Sequence, residues 1–254
     1  MRFIQNTSIM MAIGTVVVTV VGCSTVPRHS GMHDYRTTQT VAAPERLGTT
    51  WGDEVSSSVR RVDLRRINQT PMAQIQLNYA DKYYSGQPVN SMSLLGGKVE
   101  MSVLGDRNRL PMYRDNGQYY LQGNAGQAYR LHYTNNSDHT YEIVASVDGL
   151  NVLNGEAASR SASGYVLHPH DDLVIQGFRK SQNAVASFIF SAPQTTYAAN
   201  TPNGSIDNTG VIGTVVYELY DPRQPRPRSY GTQMSTPNAY PADGDNQRYA
   251  QPPR

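Results

Sequence analysis

The sequence predicts an all-β protein: a single antiparallel β-sandwich or jelly-roll-like domain, carried between a flexible N-terminal tether and a disordered Pro-rich tail. Three observations predict it. Apolar and polar residues alternate along several short runs between Lys98 and Tyr220. Gly, Asn and Asp punctuate those runs at fairly regular spacing. Charged residues make up only 17% of the chain, and 17 Tyr stand against 4 Phe, a composition that favours strands and turns over a helix-rich enzyme. Tyr suits half-buried strand faces, where the ring packs and the hydroxyl stays wet.

The clearest strands come first. Val99, Met101 and Val103 alternate with polar neighbours, as do Tyr129, Leu131 and Tyr133, and then Ile143, Ala145 and Val147. Between them, Asp115-Asn116-Gly117, Asn135-Asn136-Ser137-Asp138 and Asp148-Gly149-Leu150-Asn151 are hairpin or loop signals, because these residue types accept left-handed backbone angles. Further runs span 165–167, 173–178, 185–190 and 211–219, with Phe178, Phe188 and Phe190 as core candidates. The sandwich is therefore expected over residues 98–220.

Upstream, residues 51–97 read as a docking segment with loops, opened by the lone Trp51, which is expected to pack the tether against the body. Val62 and Leu64 have strand spacing among Arg60, Arg61, Arg65 and Arg66. These four arginines are candidates for contact with anionic phosphate groups, although a solvated strand face accounts for them more simply. Residues 80–97, rich in Gly with Tyr83, Tyr84 and Pro88, look like a long loop. Downstream, residues 221–254 hold so many prolines that no useful strand or helix is expected there.

The N-terminus carries an export signal over residues 1–22. Arg2 opens a positive region, and the apolar run from Ile9 to Val21 is too short for the ~20 residues of a membrane-spanning helix. It closes on Val20-Val21-Gly22-Cys23, which resembles the lipobox of bacterial lipoproteins. The resemblance implies cleavage before Cys23, lipidation of its sulfur and acylation of its new amine, which together give stable membrane attachment. Ser24 in place of Asp implies the outer membrane, with the body periplasmic or surface-facing. Residues 23–50 then form a flexible tether.

The stretch from Tyr141 to Tyr217 resembles an uncharacterised family of secreted or lipid-anchored bacterial proteins. The likeness rests on blocks in a fixed order: Ser146 to Val152, Gly164 to Leu167, Gly177 to Ser181, Val185 to Phe188, Tyr197 to Ala199 and Gly210 to Gly213, with Leu110 to Tyr113 and Gly48 to Gly52 upstream. It implies one exported domain and brings no substrate or catalytic residue. Within these blocks Arg179, Lys180 and Ser181, after the apolar Phe178, are the candidates for recognition, against a loop-capping or ion-paired role.

No catalytic residues are expected. Ser161-Ala162-Ser163-Gly164 lacks the first glycine of a nucleophile elbow, the single cysteine is committed to lipid, and Asp148, Glu156, Asp171 and Asp172 sit in turns that explain them. His168-Pro169-His170-Asp171-Asp172 has metal-ligand types, but no distant residue completes a set, so no metal or other cofactor is expected. A formal charge of +2 makes no case for nucleic acid. The expected partners are the membrane, through the lipid anchor, and an envelope protein or glycan. The leading expectation is a non-enzymatic binding or structural module. The alternatives are a carbohydrate- or peptidoglycan-acting enzyme on a jelly roll, and a surface adhesin or secretion-assembly component.

Overall fold

Period-two alternation in the sequence becomes two layers of strands facing one apolar core. The structure is a computed structural model that describes residues 2–6 and 46–223. In chain order the strands are β1 (Arg2–Asn6), β2 (Gly48–Ser56), β3 (Ser58–Val62), β4 (Arg65–Arg66), β5 (Ala73–Ala80), β6 (Gln87–Val89), β7 (Met92–Leu94), β8 (Val99–Leu104) and β9 (Met112–Asp115). They continue with β10 (Gln118–Gln122), β11 (Ala128–Asn135), β12 (Tyr141–Val147), β13 (Leu150–Asn151), β14 (Tyr165–Leu167), β15 (Asp172–Ile175), β16 (Gly177–Arg179), β17 (Ala184–Ser191) and β18 (Val211–Tyr220). Among the described residues the helical segments are all short 3-10 turns.

One sheet runs β3-β1-β14-β12-β18-β5-β10-β9-β6, with β13 beside β12 and β4 beside β18; the other runs β16-β17-β11-β8-β7, with β15 along β11 and β2 along β17. The sandwich class is as expected. The first sheet is mixed rather than wholly antiparallel, because β10 runs parallel to β5 and β1 parallel to β14, while every pairing in the second is antiparallel.

Each alternating run predicted from sequence presents its apolar set inward. Val99, Met101, Val103, Tyr129, Leu131, Tyr133, Ile143, Ala145 and Val147 are all buried in the main core, with Phe178, Phe188 and Phe190. Two of the turn signals make tight hairpins. Asn116 and Gly117 join β9 to β10 with φ of 47° and 78°, and Asp148 and Gly149 join β12 to β13 with φ of 52° and 75°. Consecutive positive φ values are the signature of the turn whose twist matches that of the flanking strands.

Three expectations need correction. The tether ends earlier than residue 50, since β2 begins at Gly48 and pairs along β17. The 51–97 segment is no mere docking piece: it supplies most of β2 and all of β3 to β7. Within it, the supposed loop at 80–97 holds β6 and β7, and Pro88 is tolerated because β6 is an edge strand, where a missing N–H breaks no ladder.

The tyrosines are also more deeply buried than half-buried strand faces require. Tyr79, Tyr129, Tyr133, Tyr141, Tyr165 and Tyr217 are all at most 3% exposed, so their hydroxyls must find partners inside. Tyr79 Oη donates to Asp148 Oδ1 at 2.6 Å, and Thr49 Oγ1 lies 2.8 Å from Tyr79 Oη and 2.6 Å from Tyr129 Oη. Each hydroxyl has one proton, so the chain has one direction: Tyr129 donates to Thr49, Thr49 to Tyr79, and Tyr79 to the carboxylate. Tyr133 Oη meets Thr214 Oγ1 at 2.8 Å, and Tyr217 Oη donates to the carbonyl of Arg160 at 3.0 Å.

Arg2–Asn6 lies inside the expected signal, and its backbone forms β1, paired antiparallel with β3 along its whole length. The apolar run of the signal, Cys23, the tether up to residue 45 and the tail from residue 224 lie outside the described residues.

Candidate functional site

β2 lies along the side of β17, and its alternation turns Trp51 toward the end of the core rather than away from it. The indole stacks on Phe178 at a centroid distance of 6.2 Å and 6° between planes, and tilts against Tyr197 at 4.7 Å. Phe178 is itself held edge-on by Phe188 at 5.1 Å. Trp51 thus has a rigid aromatic base, yet it remains 40% exposed. The expected packing role therefore accounts for part of the ring and leaves the rest exposed.

Trp51 borders a pocket of about 280 Å³ that is lined also by Asn154, Gly155, Phe178, Arg179, Lys180 and Tyr197. Gly155 is required there. Its φ is +69°, and a Cβ on it would stand 2.6 Å from Tyr197 Oη, so any side chain would push the tyrosine off the aromatic base. The polar rim comes from Lys180, whose Nζ pairs with Glu54, and from Asn154, whose amide reaches Glu156 at 3.2 Å. An exposed aromatic plane beside an ammonium, a carboxylate and an amide can stack against the C–H face of a sugar ring while hydrogen-bonding its hydroxyls.

The three residues singled out at 179–181 divide their roles. Arg179 is an internal clasp: Nε donates to Tyr165 Oη at 3.0 Å, Nη1 to the carbonyls of Ser57 at 2.8 Å and Ser181 at 3.1 Å, and Nη2 to Ser57 Oγ at 3.0 Å. Burial pushes the Tyr165 hydroxyl pKa up, and the neighbouring guanidinium partly offsets it. Ser181 accepts from the N–H of Asn183 at 3.2 Å and shapes the turn into β17. Arg179 and Lys180 both border the pocket, the guanidinium committed to its internal partners and the ammonium paired with Glu54.

The four upstream arginines are not one anion site. Arg66 is buried, its Nε 2.6 Å from Glu142 Oε2, Nη2 donating to the carbonyl of Ala162 at 2.5 Å, and the guanidinium 3.7 Å over the ring of Tyr217. Its Nη1 also donates to the carbonyl of Ser161 at 3.3 Å, and with a side chain only 5% exposed the guanidinium is committed to the interior rather than presented to a phosphate outside. Arg60 and Arg61 are exposed on successive residues of β3 and so project to opposite faces, while Arg65 lies on β4.

The acidic and histidine candidates scatter in the same way. His168 faces Asp221 at 4.0 Å, His170 faces Asp138 at 2.8 Å, and Asp172 pairs with His132 at 3.1 Å. Asp148 is buried, and its carboxylate accepts from the N–H groups of Thr49 at 2.6 Å and Gly210 at 2.8 Å. Burial pushes its pKa up to about 6 against those donors. A second concavity of about 380 Å³ lies on the outer face of β5, β12 and β18, lined by Gln74, Gln76, Ser146, Asn151 and Arg160 among others, but no aromatic ring borders it.

No local spacing in the sequence links Trp51 to Tyr197. They lie far apart in the chain, and only the pairing of β2 with β17 and the 3-10 turns after β17 bring them to one place. Comparison with family models, characterised proteins and solved structures finds no match to the chain.

Proposed function

We propose that this protein is a non-catalytic module, lipid-anchored at the outer membrane through Cys23, that binds an envelope glycan at the Trp51 pocket. The observation that carries the binding half is a 40% exposed indole fixed on Phe178 and Tyr197 beside Lys180 and Asn154. What sets this ring apart from the other exposed apolar side chains is its fixed aromatic base, which would let a stacking ligand take its exposed area out of water without first ordering it. Small polar groups at the rim, each already oriented by a partner, suit hydroxyl-rich ligands.

The anchoring half is supported by the sequence. Val20-Val21-Gly22-Cys23 follows an apolar run of signal length, and two or more acyl chains hold a protein firmly where one does not. On this reading peptidase cleavage before Cys23 frees the amine that receives a further acyl chain.

The test uses cells fed radiolabelled palmitate. Label is expected in the wild-type protein and absent from Cys23→Ser, which moves to the soluble fraction. Purified glycan sacculi then pull down wild type and not Trp51→Ala. Equal recovery of both points instead to a different face or a protein partner.

A further inference from the structure

β1 closes the seam between the two sheets. On one side of it stands β3, which continues from β2 of the second sheet; on the other stands β14, which pairs with β12 of the first. The N–H groups of Ser57 and Val59 donate to the carbonyls of Asn183 and Gln182, both at 2.8 Å. Backbone direction alternates along a strand, so Ser58, Arg60 and Val62 present their N–H groups to the opposite edge, where β1 runs. Without β1 the seam is two strand spacings wide, about 10 Å, which is the room one strand needs.

Arg179 bridges the seam from within, bonding Ser57 beside β3 and the hydroxyl of Tyr165 from β14, contacts that do not involve β1 and that tie the flanking strands at this spacing. Val59 and Tyr165 belong to the main core on either side.

If the segment before Cys23 is removed, as the anchoring reading requires, the strand that fills this seam goes with it. We infer that the seam of the processed protein is a strand-acceptor site for an extended segment of a partner protein. The partner strand runs antiparallel to Ser58–Val62 and carries acidic residues opposite Arg60 and Arg61. The backbone supplies affinity by strand addition. The two exposed arginines supply preference, since opposite charges across a pair of strands attract.

The test uses the processed protein extracted in detergent from envelopes. Its intact mass is read first, and then amide exchange at Ser58, Arg60 and Val62 is followed with three peptides. The first has the sequence around Arg2–Asn6, which already fits the register with Arg60 opposite Ile4. The second carries Phe3→Glu and Ile4→Glu, and the third Ile4→Pro, which removes the N–H aimed at β3. The inference expects the leader to be absent and exchange to slow more than about tenfold with the first peptide. The acidic peptide binds more tightly in a salt-sensitive way, and the proline peptide has no effect. Absence of protection on protein lacking the leader overturns the acceptor site alone, as does equal protection by the proline peptide. A mass that includes residues 1–22 overturns it together with the anchoring reading, because the seam is then filled by the chain itself.

Discussion

The carboxylate of Asp148 accepts the backbone N–H of Thr49 at 2.6 Å inside the core, so the turn after β12 holds the start of β2 in place. With Tyr79 and Gly210 on its other oxygen, it joins four segments of the chain. Burial outweighs these donors and pushes the pKa up to about 6 from an ordinary 3.8. The folded state therefore holds this proton more tightly than the unfolded chain. The contribution is full below pH 4 and is lost as pH rises through 6, by about 3 kcal/mol in all. Asp148→Asn keeps the left-handed turn but turns an N–H2 toward a donor. It is expected to unfold at lower denaturant and to lack this slope, so the stability difference between wild type and variant changes by about 3 kcal/mol between pH 4 and 7. Urea titrations at several pH values measure it.

Arg179→Met should destabilise the domain by about 2–4 kcal/mol, because it removes the guanidinium donors from Ser57 and from the buried Tyr165 hydroxyl. Arg179→Lys keeps the charge but reaches only one of these partners, and is expected to recover less than half. Equilibrium denaturation of the two variants separates lost geometry from lost charge.

The Arg66–Glu142 pair is buried on both sides, with side chains 5% and 0% exposed. Glu142→Gln leaves a guanidinium without its counter-charge and should cost about 3–5 kcal/mol. Replacing both partners, as Arg66→Met with Glu142→Leu, should cost far less than the single change. Thermal unfolding of the single and double variants forms the cycle that tests it.

How much of this was legible in the sequence follows from range. The strands at 99–103, 129–133 and 143–147 and the turns at Asn116-Gly117 and Asp148-Gly149 depend on neighbouring residues, and period two and left-handed turns announce them. β6 and β7 were hidden because Gly and Pro around them imitate a loop, and only an edge position makes Pro88 compatible with a ladder. The tyrosine chain was hidden because it depends on Thr49, Tyr79, Tyr129 and Asp148 meeting across separate strands. The Trp51 pocket is illegible for the same reason: Trp51, Asn154, Lys180 and Tyr197 share no local spacing. The arginines at 60–66 show the reverse case, a dense local cluster that the fold takes apart: Arg60, Arg61 and Arg65 stay exposed, as a solvated strand face implies, while the Arg66 side chain is buried against Glu142.

Trp51 is the only tryptophan in the chain, so intrinsic emission reports this one ring alone. Titrating the protein with soluble envelope glycan fragments should give a saturable change in that emission at micromolar to millimolar ligand. Lys180→Ala should weaken binding about fivefold to tenfold, the loss of one charged hydrogen bond. An emission spectrum unmoved by saturating glycan, or calorimetric binding of Trp51→Ala equal to wild type, would contradict the central claim.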